Sequence, residues 1–288
     1  MTQQLFCFGL GFTARQIAAD YPEWEVLGTS RTPPLDGETG EFPIFPFRRG
    51  SPIADFPNLA KDVSHVLLSI PPDDLGDPVY DEMREQIAGL SNLKWVGYLS
   101  TTGVYGDLAG DWVDEESPYN PTGTRGERRM QAEKAWRGLY ETRGLPLHIF
   151  RLPGIYGPGR NQIVSLKAGK ARRIVKPDQV FSRIHVADLA AILVASMKKP
   201  NPGAIYNVAD DEPAPPQDVV SHAAELLGVA PPPLIDFDAA DLSPMARSFY
   251  SDSKRVSNSK IKSELGVSLK FPTYREGLAA LLPGETCI

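Results

Sequence analysis

Over its first two thirds the chain alternates short apolar runs with segments of helical period, a pattern that confines it to a parallel sheet covered by helices. The run at 5–8 reads as a first strand, 12–20 as the helix after it, and 25–29 as a second strand. Segment 42–47 is a poorer strand, because Pro43 and Pro46 each remove a ladder donor, and it is expected to be short or sparsely paired. A far better strand follows at 63–70, then a helix at 78–90, a strand at 95–100, a long amphipathic helix at 126–142 and a strand at 147–151. From about Pro153 the texture changes to Gly, Pro and short elements, with proline-rich breaks at 213–216 and 231–233. A smaller, irregular second domain is expected there, while 205–208 is expected to rejoin the main sheet.

A chain of 288 residues with 42% hydrophobic and 23% charged residues can bury one large core, or a large and a small one. The net charge of −6 comes without any basic run, which argues against a nucleic-acid partner; Arg172-Arg173 and Lys198-Lys199 are too short to neutralise a phosphate backbone. Residues 1–9 have no basic n-region and run straight into an apolar strand, so no secretion signal is expected. No apolar run approaches a membrane span, and no membrane partner is expected. Cys7 and Cys287 make neither a disulfide framework nor a metal-ligand spacing, so no metal site is expected and a reducing cytoplasm is the simplest location.

The junction of the first strand and helix reads Phe8-Gly9-Leu10-Gly11-Phe12-Thr13-Ala14, a Gly-x-Gly-x-x-Ala turn. Gly9 allows the tight turn, Gly11 lets the backbone approach a pyrophosphate, and Ala14 permits close packing of helix on strand. The helix start, with Phe12 and Thr13, then offers unpaired N–H groups to the anion. Glycine at such a turn can be merely structural, but a place directly after an apolar first strand is the context the mechanism requires. The expected fold class is therefore α/β, a Rossmann-type doubly wound parallel sheet with a smaller C-terminal α/β domain. At the end of the second strand, where an acidic residue would accept the adenosine ribose hydroxyls, stands Thr29-Ser30-Arg31. The hydroxyl of Ser30 and the guanidinium of Arg31 suit a ribose 2′-phosphate, which favours NADP(H). NAD(H) is the alternative, with Arg31 an ordinary surface residue and Asp36 or Glu38 swinging back to the ribose.

Further along stand Ser100-Thr101-Thr102-Gly103-Val104-Tyr105-Gly106, Asp114-Glu115-Glu116-Ser117-Pro118 and Arg151-Leu152-Pro153-Gly154-Ile155-Tyr156-Gly157-Pro158-Gly159-Arg160. With Arg183-Ile184-His185-Val186-Ala187-Asp188, Ile205-Tyr206-Asn207-Val208 and Pro272-Thr273-Tyr274-Arg275-Glu276-Gly277-Leu278, they closely resemble the extended short-chain dehydrogenase/reductases. That is the NAD-dependent epimerase/dehydratase group, which acts largely on nucleotide sugars. The resemblance spans nearly the whole chain, with the motifs in family order.

The resemblance implies roles. Thr101 matches the Ser/Thr that hydrogen-bonds the reacting hydroxyl or carbonyl. Ala132-Glu133 matches the Ala-Glu that follows the family's lysine, which sets Arg125 in the place of the Tyr and Arg129 in the place of the Lys of Tyr-x-x-x-Lys. Such departures resemble the atypical branch of the family, whose members keep the nucleotide fold and lose part of the catalytic set. A guanidinium offers donors only and cannot do a phenol's acid/base work. Arg129 is then expected to hold ribose hydroxyls or cofactor phosphate, and Arg125 a carboxylate or phosphate of the substrate in a bidentate fork. In the plainer alternative, 125–143 is a solvated helix surface with Glu133 paired to Arg129.

For proton transfer the titratable candidates are Tyr105, Tyr119, Tyr156 and His185; Tyr119, shortly before Arg125, joins Thr101 and Arg125 as the catalytic set. Glu115 and Glu116 are placed in an exposed, turn-rich loop, and the literal Tyr250-x-x-x-Lys254 is expected to be a coincidence of spacing. The cofactor-binding set extends to Ile70, Pro71, Ser100, Leu152, Pro153 and Gly154. The substrate side draws on Thr102, Tyr156, Arg160, Asn161 and Arg183, with Arg172, Arg173 and Arg247 as further cations. Domains are expected at 1–155 plus about 180–211 for the cofactor, and at about 156–179 plus 212–288 for the substrate. Two functions fit: an oxidoreductase, epimerase or dehydratase of a sugar-like or nucleotide-linked small molecule, or a non-catalytic NADP(H)-binding sensor. A homodimer is compatible with either.

Overall fold

The computed structural model describes residues 3–32 and 42–285; Asp36, Glu38 and Cys287 lie outside them. In chain order the elements are β1 (Gln3–Phe8), α1 (Phe12–Asp20), β2 (Trp24–Ser30), β3 (Ile44–Pro46), α2 (Phe56–Leu59), β4 (Val63–Leu68), α3 (Pro78–Ala88) and β5 (Trp95–Thr101). A single 3₁₀ turn (Thr102–Tyr105) leads to β6 (Trp112–Val113), α4 (Thr124–Arg143), β7 (Leu147–Leu152), β8 (Gly154–Tyr156), α5 (Gln162–Lys167), β9 (Arg173–Val175) and β10 (Arg183–His185). The chain continues with α6 (Val186–Lys198), β11 (Ile205–Asn207), α7 (Pro216–Leu227), β12 (Leu234–Asp236), α8 (Pro244–Phe249), β13 (Arg255–Val256), α9 (Ser259–Leu265) and α10 (Tyr274–Glu285).

Seven strands form one sheet in the order β11-β7-β5-β4-β1-β2-β3. β1 pairs in parallel with β2 on one side and β4 on the other, so the order reverses at β1, the switch point where doubly wound sheets bind ligands. The proline-bearing strand takes the place its chemistry allows: β3 has three residues and stands at the edge, where an absent N–H leaves no neighbour unpaired. β11 occupies the opposite edge and brings residues 205–207 back to the sheet, as the apolar run there predicts.

The central strands are mostly apolar on both faces because helices cover the sheet. Phe6, Phe8, Val66 and Tyr98 from the strands pack with Met83 and Ile87 of α3 and Trp136 of α4 in one buried cluster, each large side chain contributing about 1.5–3 kcal/mol. α3 begins on Asp77, whose Oδ1 accepts from the N–H of Val79 at 2.9 Å and of Tyr80 at 3.1 Å, with Pro78 in the first helical position. Its Oδ2 accepts from Trp136 Nε1 at 3.1 Å, so the cap also ties α3 to α4. A row of rings crosses the sheet: Trp24 meets His65 at 4.7 Å, His65 meets Trp95 at 6.2 Å, and Trp95 stacks on His148 at 5.8 Å. Burial pushes His65 and His148 down to about 4. It pushes the thiol of Cys7, near the C-terminal end of β1, far up.

The chain divides into two compact units. The first comprises Met1–Thr101, Glu127–Arg151 and Ala190–Tyr206, and the second Thr102–Gly126, Leu152–Leu189 and Asn207–Ile288. The second holds three two-stranded parallel pairs, β8 with β10, β9 with β12 and β6 with β13. Its own core gathers Ile163 of α5, Val219 and Ala223 of α7, and Tyr274 and Leu278 of α10. Among the described residues no helix is long and apolar enough to cross a membrane.

Candidate functional site

In the first unit the glycine turn sits at the switch point. Gly9 has φ +93°, and a Cβ there would lie 2.6 Å from Ser69 Oγ, so the turn admits only glycine without a shift of β4's end. Thr29 Oγ1 accepts from the Gly9 N–H at 2.9 Å, and the Leu10 N–H donates to the Thr29 carbonyl at 2.8 Å, which fastens the turn to β2. Gly11 caps α1 without a side-chain bond, and a Cβ on it would meet nothing within 4 Å. Open space over Gly11, at a helix start whose N-cap residue supplies no side-chain hydrogen bond, is the arrangement a diphosphate needs. Phe12 and Thr13 form the first turn, and Ala14 is buried as close packing requires. Ser30 Oγ accepts from the Thr32 N–H at 3.3 Å, and Arg31 is exposed without an ion pair to a described residue. Ile70, whose side chain lies 3.2 Å from the Cβ position of Gly9, and Pro71 continue from β4 beside the same turn.

The end of β5 and the inner face of α4 form the unit's second polar cluster. Arg129 Nη1 donates to the Leu99 carbonyl at 2.5 Å and to Tyr98 Oη at 3.3 Å, with the guanidinium 5.5 Å from the Tyr98 ring centre. Nε and Nη2 have no protein partner among the described residues, so the half-buried guanidinium keeps donors for another group. Glu133 is fully buried, not on a solvated surface, and its partner is Arg151 rather than Arg129: Arg151 Nη2 lies 2.9 Å from Glu133 Oε2, at 2% and 0% exposure. Ser100 Oγ donates to Glu133 Oε1, which commits that hydroxyl to the buried pair. Thr101 closes β5 in a half-buried position.

In the second unit, Thr102 is buried at the start of the 3₁₀ turn and Tyr119 is half-buried in the loop before α4. Arg125 is exposed, makes no ion pair with a described residue, and lies with its guanidinium 5.0 Å from the Phe249 ring centre. The neighbouring Gly126 lets α4 start close to the 3₁₀ turn, since a Cβ there would sit 2.6 Å from the Gly103 carbonyl oxygen. Leu152 is buried, Pro153 half-buried, and Gly154 exposed at the start of β8. Tyr156 is packed: its ring meets His185 at 5.1 Å, and a Cβ on Gly277 of α10 would come within 2.0 Å of its hydroxyl. Burial pushes that phenol up. Asn161 caps α5, accepting from the Val164 N–H at 3.0 Å, and Arg160 is exposed beside it. Arg183 donates to the Ala214 carbonyl at 3.3 Å and lies 5.3 Å from the Tyr274 ring centre; burial lowers its affinity for a proton and pushes neighbouring Asp210 up to about 8.

Several other candidates are held by structure. Tyr105 Oη donates to Asn207 Oδ1 at 2.7 Å, and His185 Nδ1 accepts from the Ala187 N–H at 3.1 Å. Glu115 is half-buried rather than exposed, because its Oε1 accepts the Asn207 N–H at 2.7 Å; Glu116 remains exposed. Arg172, Arg173 and Arg247 each donate to a backbone carbonyl, of Asp241, Pro232 and Ala240. Lys254 is buried on the Gly106 carbonyl at 2.6 Å and Asp252 at 3.2 Å, and the Tyr250 ring packs on Phe181 and Phe237, so each member of that spaced pair has a separate structural task. Sequence reasoning overlooked Tyr98, Phe249 and the Glu133 to Arg151 pair, all of which depend on contacts distant along the chain.

A doubly wound parallel sheet with a glycine turn under a helix start at its switch point is the arrangement that dinucleotide-binding α/β proteins share. Residues 79–209, a little under half of the chain, match the NAD dependent epimerase/dehydratase family. Protein YeeZ of Escherichia coli (strain K12) is 31% identical over 180 residues, 61% of this chain; the match spans 58% of the relative's length. A structure described as a functionally unknown conserved protein from Silicibacter pomeroyi DSS is 51% identical over 98% of this chain and 99% of that one, with a TM-score of 0.86. UDP-glucuronic acid 4-epimerase from Bacillus cereus, in complex with NAD, covers 99% of both chains at 17% identity and a TM-score of 0.77, a likeness of fold.

Proposed function

We propose that the protein binds NADP(H) through its first unit and acts on an anionic, sugar-like or nucleotide-linked small molecule as an oxidoreductase, epimerase or dehydratase that lacks the family's phenol. The observation that carries this reading is the Gly9 to Ala14 turn, with open space over Gly11 and the exposed Arg31 at the end of β2. In this reading the α1 N–H groups hold the diphosphate, Ser30 and Arg31 the 2′-phosphate, and the uncommitted donors of Arg129 the nicotinamide ribose. Relatives in complex with NAD and UDP-sugars support a nicotinamide cofactor and a nucleotide-linked substrate class. Isothermal titration should give NADP(H) a tighter Kd than NAD(H), and Arg31→Ala should weaken NADP(H) about tenfold or more while leaving NAD(H) unchanged. Equal affinities in the parent protein would overturn the 2′-phosphate assignment.

When bound, the cofactor would supply hydride exchange. Thr101 then orients the reacting hydroxyl or carbonyl, and Arg125 holds an anionic group of the substrate and stabilises negative charge without moving a proton. Tyr119 is the phenol nearest in sequence to Arg125 and the proposed proton donor and acceptor. The exposed arginine in the phenol's place favours a second reading, a sensor that binds NADP(H) and an anion without turnover. Single-turnover product NMR with nucleotide sugars separates the two: the enzyme reading requires product, lost on Thr101→Ala and reduced by at least about a hundredfold on Tyr119→Phe.

A further inference from the structure

Helix α8 is unusual in the second unit because none of its six residues is buried. Met245 and Phe249, four apart on one face, are 65% and 52% exposed. Both flanks are fastened. On the N-terminal side Ser243 Oγ accepts from the Ala246 N–H at 3.2 Å, while Arg247 reaches back to the Ala240 carbonyl at 3.1 Å and over the Phe237 ring at 4.7 Å. On the C-terminal side the Tyr250 ring packs on Phe181 at 5.4 Å, and Gln179 donates to the Asp252 carbonyl at 2.7 Å. Asp252 is also bound by Lys254 and by Thr122 Oγ1, just before α4. That tie brings the end of α8 to Arg125, and Phe249 lies on the guanidinium there.

An aromatic ring on one face of a guanidinium leaves its N–H groups in the plane, pointing outward and able to take a carboxylate or phosphate in two parallel bonds. Arg125 has no ion pair among the described residues, so its charge is available. A short helix with no buried side chain can lift or settle without opening a core, and two anchored flanks return it to the same place. Two exposed apolar side chains beside an available cation therefore define a site with one charged and one apolar requirement.

We propose that α8 is a strap that settles on the ligand held by Arg125, with Phe249 and Met245 as its apolar wall, so that the site selects an anionic group carried on an aromatic or other apolar body over a small bare anion. This deepens, and rests on, the assignment of Arg125 as the anion-binding residue. The probes are 4-fluorobenzoate and fluoroacetate, each titrated by ¹⁹F NMR into the full-length protein. The parent should bind 4-fluorobenzoate about tenfold more tightly than fluoroacetate; Phe249→Ala should erase the preference, Phe249→Trp should keep it, and Arg125→Ala should abolish binding of both. Amide exchange across 244–249 should slow when 4-fluorobenzoate is added. If Arg125→Ala changes neither titration, or neither probe binds the parent, the anion-binding assignment falls and the strap with it. If Arg125→Ala abolishes binding while Phe249→Ala leaves the preference intact, the strap alone is wrong. Concentration-dependent self-association lost on Phe249→Ala would mean that a second copy of the chain covers α8, and would also overturn the proposal.

Discussion

Gly9 and Gly11 stand two residues apart and respond to the same substitution for different physical reasons. At Gly9 the backbone is left-handed and the new methyl would press on Ser69, so Gly9→Ala should lower unfolding free energy by about 1–3 kcal/mol in a denaturant titration. At Gly11 the methyl enters open space, so Gly11→Ala should leave stability within about 1 kcal/mol while weakening NADP(H) by about tenfold or more. Normal NADP(H) affinity in Gly11→Ala would remove the diphosphate from that position. This turn was legible in the sequence because its conformation is dictated locally, by the residues that form it. The partner of Glu133 was not. Helical spacing points to Arg129, while the true partner, Arg151, is supplied by a different strand and only the folded sheet brings it near.

At the level of elements, α4 was readable from its period, and its two arginines have separate fates: Arg129 is bound to the end of β5, and Arg125 lies on Phe249. The helix is anchored from within by the Glu133 to Arg151 pair, buried at both ends and joined by Ser100. Removing one member strands a buried charge, so Glu133→Ala should cost roughly 3–5 kcal/mol in chemical denaturation. Replacing both residues with apolar ones of similar volume should recover much of that loss, and failure of Glu133→Ala to shift the midpoint would contradict the buried pair. β3 was legible for the opposite reason, since its prolines exclude any central position. α8 was not, because six residues with none buried leave no hydrophobic period to read.

For the whole molecule, the fold class followed from alternation of strands and helices, but the division of the chain followed only in part. The chain changes units near residues 101, 126, 151, 189 and 206; the change near 151 falls beside the shift to Gly, Pro and short elements at about Pro153, while those near 101 and 126 follow three-dimensional packing. Stability against pH is likewise a property of the assembled sheet. His65 and His148 have their pKa lowered by burial to about 4 from 6.5, so between those values the unfolded chain takes up protons that the folded chain refuses. Stability is therefore full above pH 6.5 and is lost as pH falls toward 4, by up to about 3 kcal/mol for each histidine. Asp210 acts in the other direction: raised from 3.8 to about 8, it favours the folded state least where the unfolded carboxyl has ionised, and that contribution is lost as pH rises across the window. Thermal melts from pH 4 to 9 should show His148→Phe flattening the acid limb and Asp210→Asn raising stability at the alkaline end; unchanged limbs would argue against both burial effects.

Cys7 lies near the C-terminal end of β1 with its sulfur shut away from solvent and its proton held tightly. A thiol reagent can modify it only when the central strand parts from its neighbours and the thiolate forms. In a Cys287→Ser background, the labelling rate of this single sulfur thus becomes a stopwatch for excursions of the sheet. Ligands that bind at the switch point should slow it in proportion to their affinity.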